Sequence, residues 1–518
     1  MSPALTDPKS TTRRALLTVC AMTATIMQAL DTTIANVALP YMQGSLSASL
    51  DQISWVLTSY IVASAIMTAP MGWMSDRFGR KKLFVVCAAG FTFASLLCAI
   101  AQNIEQMVLF RLLQGAFGAA LVPLSQSVML DAYPVEQRGM AMSIWGMGVM
   151  LGPIMGPTLG GWLTDQYNWR WVFLVNLPVG IVTVAGLIFF MDETKPQTHL
   201  RFDWFGFAAL AIGIGAIQIM LDRGEDKGWF GSPEIWIETI IGVAGFYYFF
   251  AHSLTTREPF VRFELFKDRN FVGGCVFMVV IGVVLFGTMA LMTPFLQNLL
   301  GYPILTAGYI LGGRGIGTFF AMMAVGRLLK LMEARNLIFV GLVLTAGTLY
   351  HMSGFTTDTS AQTIVVTSVV QGVGLGFVFV PISTVAFASL EPHLRTSGTA
   401  ILTLVRNIGS SVGISMVIAE LTNKTTIIYA RLAEYVTPFN QPLQAPDVAA
   451  NLDLNTDMGR ALLDQMMSQQ ASMVAFANVF WLLMVLTLLT LPLLLIIGTS
   501  KSAKRSPRPS VEAHAALD

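Results

Sequence analysis

Charge is scarce in this sequence. Asp, Glu, Lys and Arg make up 12% of 518 residues against 54% hydrophobic ones, where soluble domains carry about 25% charged residues. With a mean hydropathy of +0.65, that shortage excludes an ordinary soluble globular fold and points to an all-α polytopic membrane protein. Cysteine is also sparse: Cys20, Cys87, Cys98 and Cys275 fall in apolar runs without metal-ligand spacing, which argues against a disulfide framework or a metal site. The histidines His199, His252, His351, His393 and His514 are dispersed, so no nucleophile or metal constellation of a membrane enzyme is expected. No Gly-x-x-x-x-Gly-Lys-Ser/Thr loop is present, which argues against ATP as the energy source. The net charge of +1, with basic residues spread among loops, implies no nucleic-acid partner.

What is abundant is apolar sequence in stretches of about 20 residues, each enough to cross a hydrocarbon core of about 30 Å as a helix. Fourteen such segments are expected. The first eight are Ala15 to Pro40, Ile53 to Trp73, Phe84 to Ala101, Met107 to Leu130, Met140 to Leu163, Val172 to Met191, Trp204 to Leu221 and Ile235 to Leu254. The others are Phe271 to Gln297, Thr306 to Val325, Ile338 to Gly354, Thr363 to Ala388, Thr399 to Leu421 and Val474 to Ile497. The seventh and eighth are the pair whose loss would give a twelve-helix count. The first is too long for a signal-peptide core and reads as a retained helix. Lys and Arg concentrate in alternate loops, as in Arg77, Arg80, Lys81 and Lys82 after the second segment. By the positive-inside rule both termini are expected in the cytoplasm.

Within the first segment stands Asp31, in Leu30-Asp31-Thr32-Thr33-Ile34-Ala35-Asn36. It is the one carboxylate that cannot be placed near the end of an apolar run. An acid at that depth costs roughly 2.5 to 3.5 kcal/mol, and intramembrane ionisable groups are functional by default. The bland alternative is a residue tolerated inside the bundle. Asp31 is expected to carry protons.

Internal repetition organises the rest. Gln114-Gly115-Ala116-Phe117-Gly118 on the fourth segment is echoed by Gln371-Gly372-Val373-Gly374-Leu375-Gly376 on the twelfth, with Pro123 and Pro381 following on the same helices. The echo implies two six-helix bundles, residues 15–191 and 271–498, with two further helices and their loops in 192–270. Residues 1–14 and 499–518 are expected as cytoplasmic tails, and 422–473 as a large outer loop. Parallel repeats of this sort place a substrate site near the midplane between halves.

The loop after the second segment reads Gly72-Trp73-Met74-Ser75-Asp76-Arg77-Phe78-Gly79-Arg80-Lys81-Lys82. It resembles the signature loop of the major facilitator superfamily, in which Gly72, Asp76, Arg77, Gly79 and Arg80 would latch the halves on the cytoplasmic side. Asp76 is expected to face the positive N-terminal end of the thirteenth helix. In the fifth segment Gly148, Gly152, Gly156 and Gly160 recur every four residues, joined by Pro153, Pro157 and Gly161. Glycine at that spacing clears one helix face for close packing, which alone would account for it. The Gly-Pro pairing further resembles the antiporter motif of drug-exporting facilitators. The Asp31 segment, Phe110-Arg111-Leu112-Leu113-Gln114-Gly115 and Gln218-Ile219-Met220-Leu221-Asp222-Arg223-Gly224 are similar to motifs of the fourteen-helix drug/proton antiporters. Over nearly the whole chain the likeness is to the inner-membrane pumps of tripartite multidrug exporters.

The resemblance implies a multi-pass protein of the bacterial inner membrane exporting amphipathic drugs in exchange for protons, without a cofactor. It also implies a periplasmic membrane-fusion adaptor and an outer-membrane channel as partners. The loop 422–473, with a proline- and glutamine-rich stretch from Thr437 to Pro446 and amphipathic helix over Leu452 to Met473, would face the adaptor or act as a passive lid. Depth along the first and fourth segments makes Arg111 the candidate partner of Asp31. Gln28, Asn36, Gln114, Arg314 and Arg406 are candidates for the substrate cavity, since buried amides and cations need partners. Arg314 and Arg406 would favour neutral or weakly acidic substrates, or serve only to cap carbonyls and snorkel. An exporter of an endogenous metabolite, lipid or siderophore, or a non-transporting sensor, are the alternatives.

Overall fold

The computed structural model describes residues 8–194, 196, 197, 199, 201–256, 259–437 and 456–495. Among them the chain is helical, with no strand. The first half comprises α1 (Pro8–Ser45), α2 (Leu50–Thr68), α3 (Met71–Phe78), α4 (Arg80–Ile100), α5 (Ile104–Gly118), α6 (Leu121–Ala132), α7 (Arg138–Gln166), α8 (Trp171–Leu174) and α9 (Asn176–Phe190). Two intervening helices follow, α10 (Trp204–Arg223) and α11 (Pro233–Thr255). The second half comprises α12 (Arg269–Pro294), α13 (Ile304–Leu331), α14 (Ala334–Ser353), α15 (Ala361–Ala386), α16 (Arg395–Glu434) and α17 (Asp457–Leu489).

Twelve helical stretches among the described residues are long and apolar enough to cross a membrane, α10 and α11 included. The α2–α3 pair, bent by 58°, makes a thirteenth as one broken span. The 28-residue α13 is about 42 Å long and qualifies by length, though Arg314, Arg327 and Lys330 make it less apolar. A fourteen-helix architecture is compatible with this set.

The boundaries differ from the sequence expectation where proline and capping chemistry intervene. The second segment breaks at Pro70, the N-cap of α3. The fourth breaks at Ala119 and Ala120, with Pro123 in the first turn of α6, where a missing N–H costs no intrahelical bond. Helix α1 starts at Pro8 and continues through Pro40 to Ser45. Ser49 and Gln52 form a capping box that fixes the start of α2. The expected outer loop is shorter than 422–473, because α16 continues to Glu434 and α17 begins at Asp457. Residues 438–455, most of the proline- and glutamine-rich stretch among them, lie outside the described residues, as do residues 1–7 and 496–518.

Glycine decides which helices approach closely. A Cβ at 148, 152, 156 or 160 would meet Met22, Ala29, Thr33 or Ile34, so the α7 stripe is seated along α1. Thr33 Oγ1 donates across that seam to the Gly152 carbonyl at 3.0 Å. The repeat is visible as paired contacts: Gly115 of α5 lies on the backbone of Tyr60 in α2, and Gly372 of α15 on the backbone of Arg314 in α13. Helices α10 and α11 pack on each other through Gly213, Gly242 and Gly245. Helix α10 also touches both halves, with Asp222 accepting from Thr58 of α2, and Ser415 of α16 donating to the Leu221 carbonyl at 2.6 Å.

Candidate functional site

Asp31 lies inside the first half, fully buried, with its carboxylate held by groups from two other helices. Oδ2 accepts from Arg111 Nη1 at 2.7 Å. Oδ1 accepts from Gln114 Nε2 at 2.8 Å and from Asn176 Nδ2 at 3.0 Å. Arg111 also donates from Nη1 to Gln114 Oε1 at 2.8 Å and from Nε to the Val56 carbonyl of α2 at 3.0 Å. Its guanidinium stacks over the Tyr60 ring, 4.2 Å from the centroid, with the Phe173 ring at 5.6 Å. Asn176 is fixed in turn by Ser95 Oγ at 3.1 Å, and Ser95 by the Phe173 carbonyl at 2.9 Å.

The helices set this geometry. Arg111 and Gln114 are three residues apart on α5, so both side chains face α1. Gly115 brings α5 against α2 within reach of the Val56 carbonyl and the Tyr60 ring. The pair is neutral as a unit, and its desolvation is offset by three hydrogen bonds given by Arg111 and three accepted by Asp31. Removing one partner would leave a lone buried charge, which costs more than the pair contributes.

Sequence reasoning missed Asn176, at the first position of α9. The signal was an amide in an otherwise apolar segment, the same signal that drew attention to Gln28, Asn36 and Gln114. Gln114, expected in the substrate cavity, bridges the two charges. Gln28 is half-buried one turn before Asp31, and Asn36 is exposed two turns after Gln28 on the same face. Arg314 is 6% exposed and donates from Nη1 to the Leu285 carbonyl at 3.3 Å, with Nη2 unpartnered. Arg406 is half-buried with Nε unpartnered. Neither forms an ion pair among the described residues.

The latch residues gather at the face carrying the basic Gly72–Lys82 loop. A Cβ at Gly72 would stand 2.7 Å from Ser397 Cα, so α3 packs directly on α16. The helix whose N-terminal end Asp76 was expected to face, α16, starts at Arg395 rather than near Thr399. The Asp76 carboxylate accepts from Arg262 at 2.7 Å, on the segment between α11 and α12, and its carbonyl accepts from the Gln197 N–H at 2.8 Å. Arg77 keeps one buried Nη1 unpartnered. Gly79, at φ +88°, makes the turn into α4 that side chains other than glycine rarely adopt. Arg80 pairs with Asp131, which also pairs with Arg395 of α16, so one carboxylate ties two basic residues from the two halves. Ser127 and Thr396 are bonded at 2.9 Å, and Thr399 donates to the Pro123 carbonyl at 3.0 Å. The basic face is therefore closed between the halves.

On α7, Gly161 and Pro157 are half-buried, while the Pro153 side chain lies outside the described residues. The helix itself runs unbroken from Arg138 to Gln166.

The chain is similar to known proteins over most of its length. The chain is 33% identical over 474 residues to the multidrug export protein EmrB of Escherichia coli (strain K12), covering 90% of this chain and 92% of that one. It is 32% identical over 474 residues to the fatty acid resistance protein FarB of Neisseria gonorrhoeae, covering 91% and 93%. Among solved structures it resembles the proton:xylose symporter XylE with a TM-score of 0.58 at 12% identity, over 93% of this chain and 97% of that one, which bears on the fold alone. Residues 21–414 match the Major Facilitator Superfamily, and the chain belongs to that family.

Proposed function

We propose that this chain is a proton-coupled antiporter that exports amphipathic drugs and toxic compounds from the cytoplasm by alternating access. The observation that carries the reading is the Asp31 carboxylate, fully buried and bonded to Arg111, Gln114 and Asn176. While the four groups stay together, Asp31 keeps its charge against Arg111. When substrate or conformational change draws α1 and α5 apart, the lone carboxylate is relieved by taking a proton, and re-pairing expels it. Proton occupancy then differs between the two conformations, the condition for the gradient to drive the change.

The latch supplies the second state. With the basic face on the cytoplasmic side, as the positive-inside rule assigns it, the closed contacts among Gly72, Asp131, Arg262 and Arg395 correspond to the form sealed from the cytoplasm. The name of the similar Escherichia coli protein supports multidrug export as the activity, and location in the bacterial inner membrane belongs to the same proposal.

Partnership with a periplasmic adaptor and an outer-membrane channel belongs to the same proposal. Helix α16 has 40 residues, about 60 Å of helix against a core of about 30 Å. Its excess projects from the face opposite the latch, where Tyr429 is bonded to Asp464 of α17. A braced pair of projecting helices with Tyr435, Met458 and Met466 exposed is a surface on which an adaptor can dock.

The test is transport in proteoliposomes under an imposed pH gradient. Asp31→Asn is expected to abolish gradient-driven efflux, and Asp31→Glu to retain part of it. Undiminished gradient-driven efflux in Asp31→Asn would refute the proton role.

A further inference from the structure

The exchange scheme leaves a group of buried polar atoms in the second half unused. Arg314 on α13 has its Nη2 without a protein partner at 6% exposure, and Gln371 on α15 is fully buried with neither amide atom partnered. Unpaired buried polar groups are costly, so a set of them in a tightly packed bundle asks for a ligand. The two residues lie on helices whose backbones touch beside them. A Cβ at Gly372, next to Gln371, would lie 2.9 Å from the Arg314 carbonyl carbon. Arg314 in turn reaches α12 at the Leu285 carbonyl. Ile281 and Leu285 of α12 and Leu375, one turn after Gln371 on α15, are buried members of one apolar core.

The internal repeat says what kind of ligand would fit. Gln371-Gly372 on α15 corresponds to Gln114-Gly115 on α5, and Gly372 rests on Arg314 of α13 as Gly115 rests on Tyr60 of α2. In the first half the glutamine amide takes one N–H from an arginine and gives one to a carboxylate, Asp31. In the second half the glutamine recurs, Ser368 stands where Arg111 would be, and the arginine comes instead from α13, at the place of Tyr60; no carboxylate among the described residues pairs with Arg314. We propose that Arg314 and Gln371 form a carboxylate-binding subsite, in which the acidic head of an amphipathic substrate takes the place that Asp31 holds in the first half. With the ligand bound, Gln371 Nε2 and Arg314 Nη2, both unpartnered in this structure, donate to the two oxygens of the carboxylate. The apolar core beside them takes an alkyl or aryl tail. A small inorganic anion offers related chemistry without the tail.

This assignment gives a substrate class to the export reading and rests on it, but equilibrium binding tests it separately. The full chain in zwitterionic nanodiscs, with empty discs subtracted, is titrated at about pH 8 with dodecanoate, dodecanol and dodecyltrimethylammonium. Dodecanoate is expected to bind at least tenfold more tightly than either, since a charge-assisted hydrogen bond is involved. Arg314→Gln and Gln371→Leu should each weaken dodecanoate about tenfold and leave dodecanol unchanged, with Arg314→Lys intermediate. Gln371→Leu removes an unpartnered amide from apolar surroundings, so folding is retained and serves as the control for Arg314→Gln. Equal binding of dodecanoate and dodecanol to the unmodified chain overturns the proposal, as does wild-type dodecanoate affinity in both variants. Chloride at about 0.1 M displacing dodecanoate completely would assign the site to small anions and overturn it too. Dodecanoate binding without gradient-driven efflux would sink the export reading and leave the subsite standing, whereas efflux without carboxylate preference would do the reverse.

Discussion

Replacing Gly152 by alanine should destabilise the first half, while the same change at Gly148 should not. Both glycines face α1 from α7, but their surroundings differ in what can yield. A Cβ at 152 would lie 2.6 Å from the Ala29 Cβ and still closer to the Ala29 backbone carbonyl. Carbon atoms pack at about 3.5 to 4.0 Å, so the two helices must separate by about 1 Å. At 148 the nearest atom is the terminal methyl of Met22 at 2.9 Å, the end of a flexible side chain that can rotate away. Overpacking against backbone costs about 1 to 3 kcal/mol, whereas accommodated changes stay within about 0.5 kcal/mol. Asp31 lies two residues after Ala29, so the displacement also disturbs a carboxylate held at 2.7 Å by Arg111. Denaturant titration of the purified variants in mixed micelles would measure the first effect, and gradient-driven efflux in proteoliposomes the second. Equal unfolding midpoints for Gly148→Ala and Gly152→Ala would refute the account of the glycine stripe as a close-packing device.

The remaining predictions concern the network and the latch. Asn176→Leu removes a donor to both Asp31 and Ser95, and should lower stability by about 1.5 to 3 kcal/mol in the same titration; no change would mean the amide is dispensable. Asp131→Asn releases both Arg80 and Arg395, so a Ser127→Cys, Thr396→Cys disulfide that forms readily in the parent chain should form more slowly in the variant. Unchanged cross-linking would show that the basic face is held shut without that carboxylate. Asp76→Ala and Arg262→Ala should impair efflux to similar degrees, and the double variant no further, because they remove the same interaction; additive losses would refute the pairing.

How much of this was legible beforehand differs from one element to the next. Apolar length located the helices, since a chain in lipid must satisfy its backbone within each segment. The repeat of Gln-Gly on α5 and α15 was visible because close helix contact demands glycine at a fixed place. The level shared by Asp31 and Arg111 followed from counting residues along two antiparallel spans, although their contact with Asn176 did not. That third partner comes from α9, whose rotation is set by packing that one sequence does not encode locally. Asp131 and Arg262 were illegible for the same reason, as loop and helix-end charges choose partners by tertiary proximity. The break at Ala119 was hidden because alanine is a good helix former, and only the neighbouring Pro123 hinted at it.

Helix α16 runs from Arg395 at the latch, past Arg406, to Tyr429 at the projecting end. A rigid rod of about 60 Å turned by about 10° about its middle moves each tip by roughly 5 Å in opposite directions. Its glycines, Gly409 and Gly413, bear on Val279 and Val283 of α12 near that middle, as a fulcrum would. Unfastening Arg395 at one membrane face is then registered as a displacement at the other. A protein seated on the far tip can sense which way the transporter faces without touching either proton or cargo.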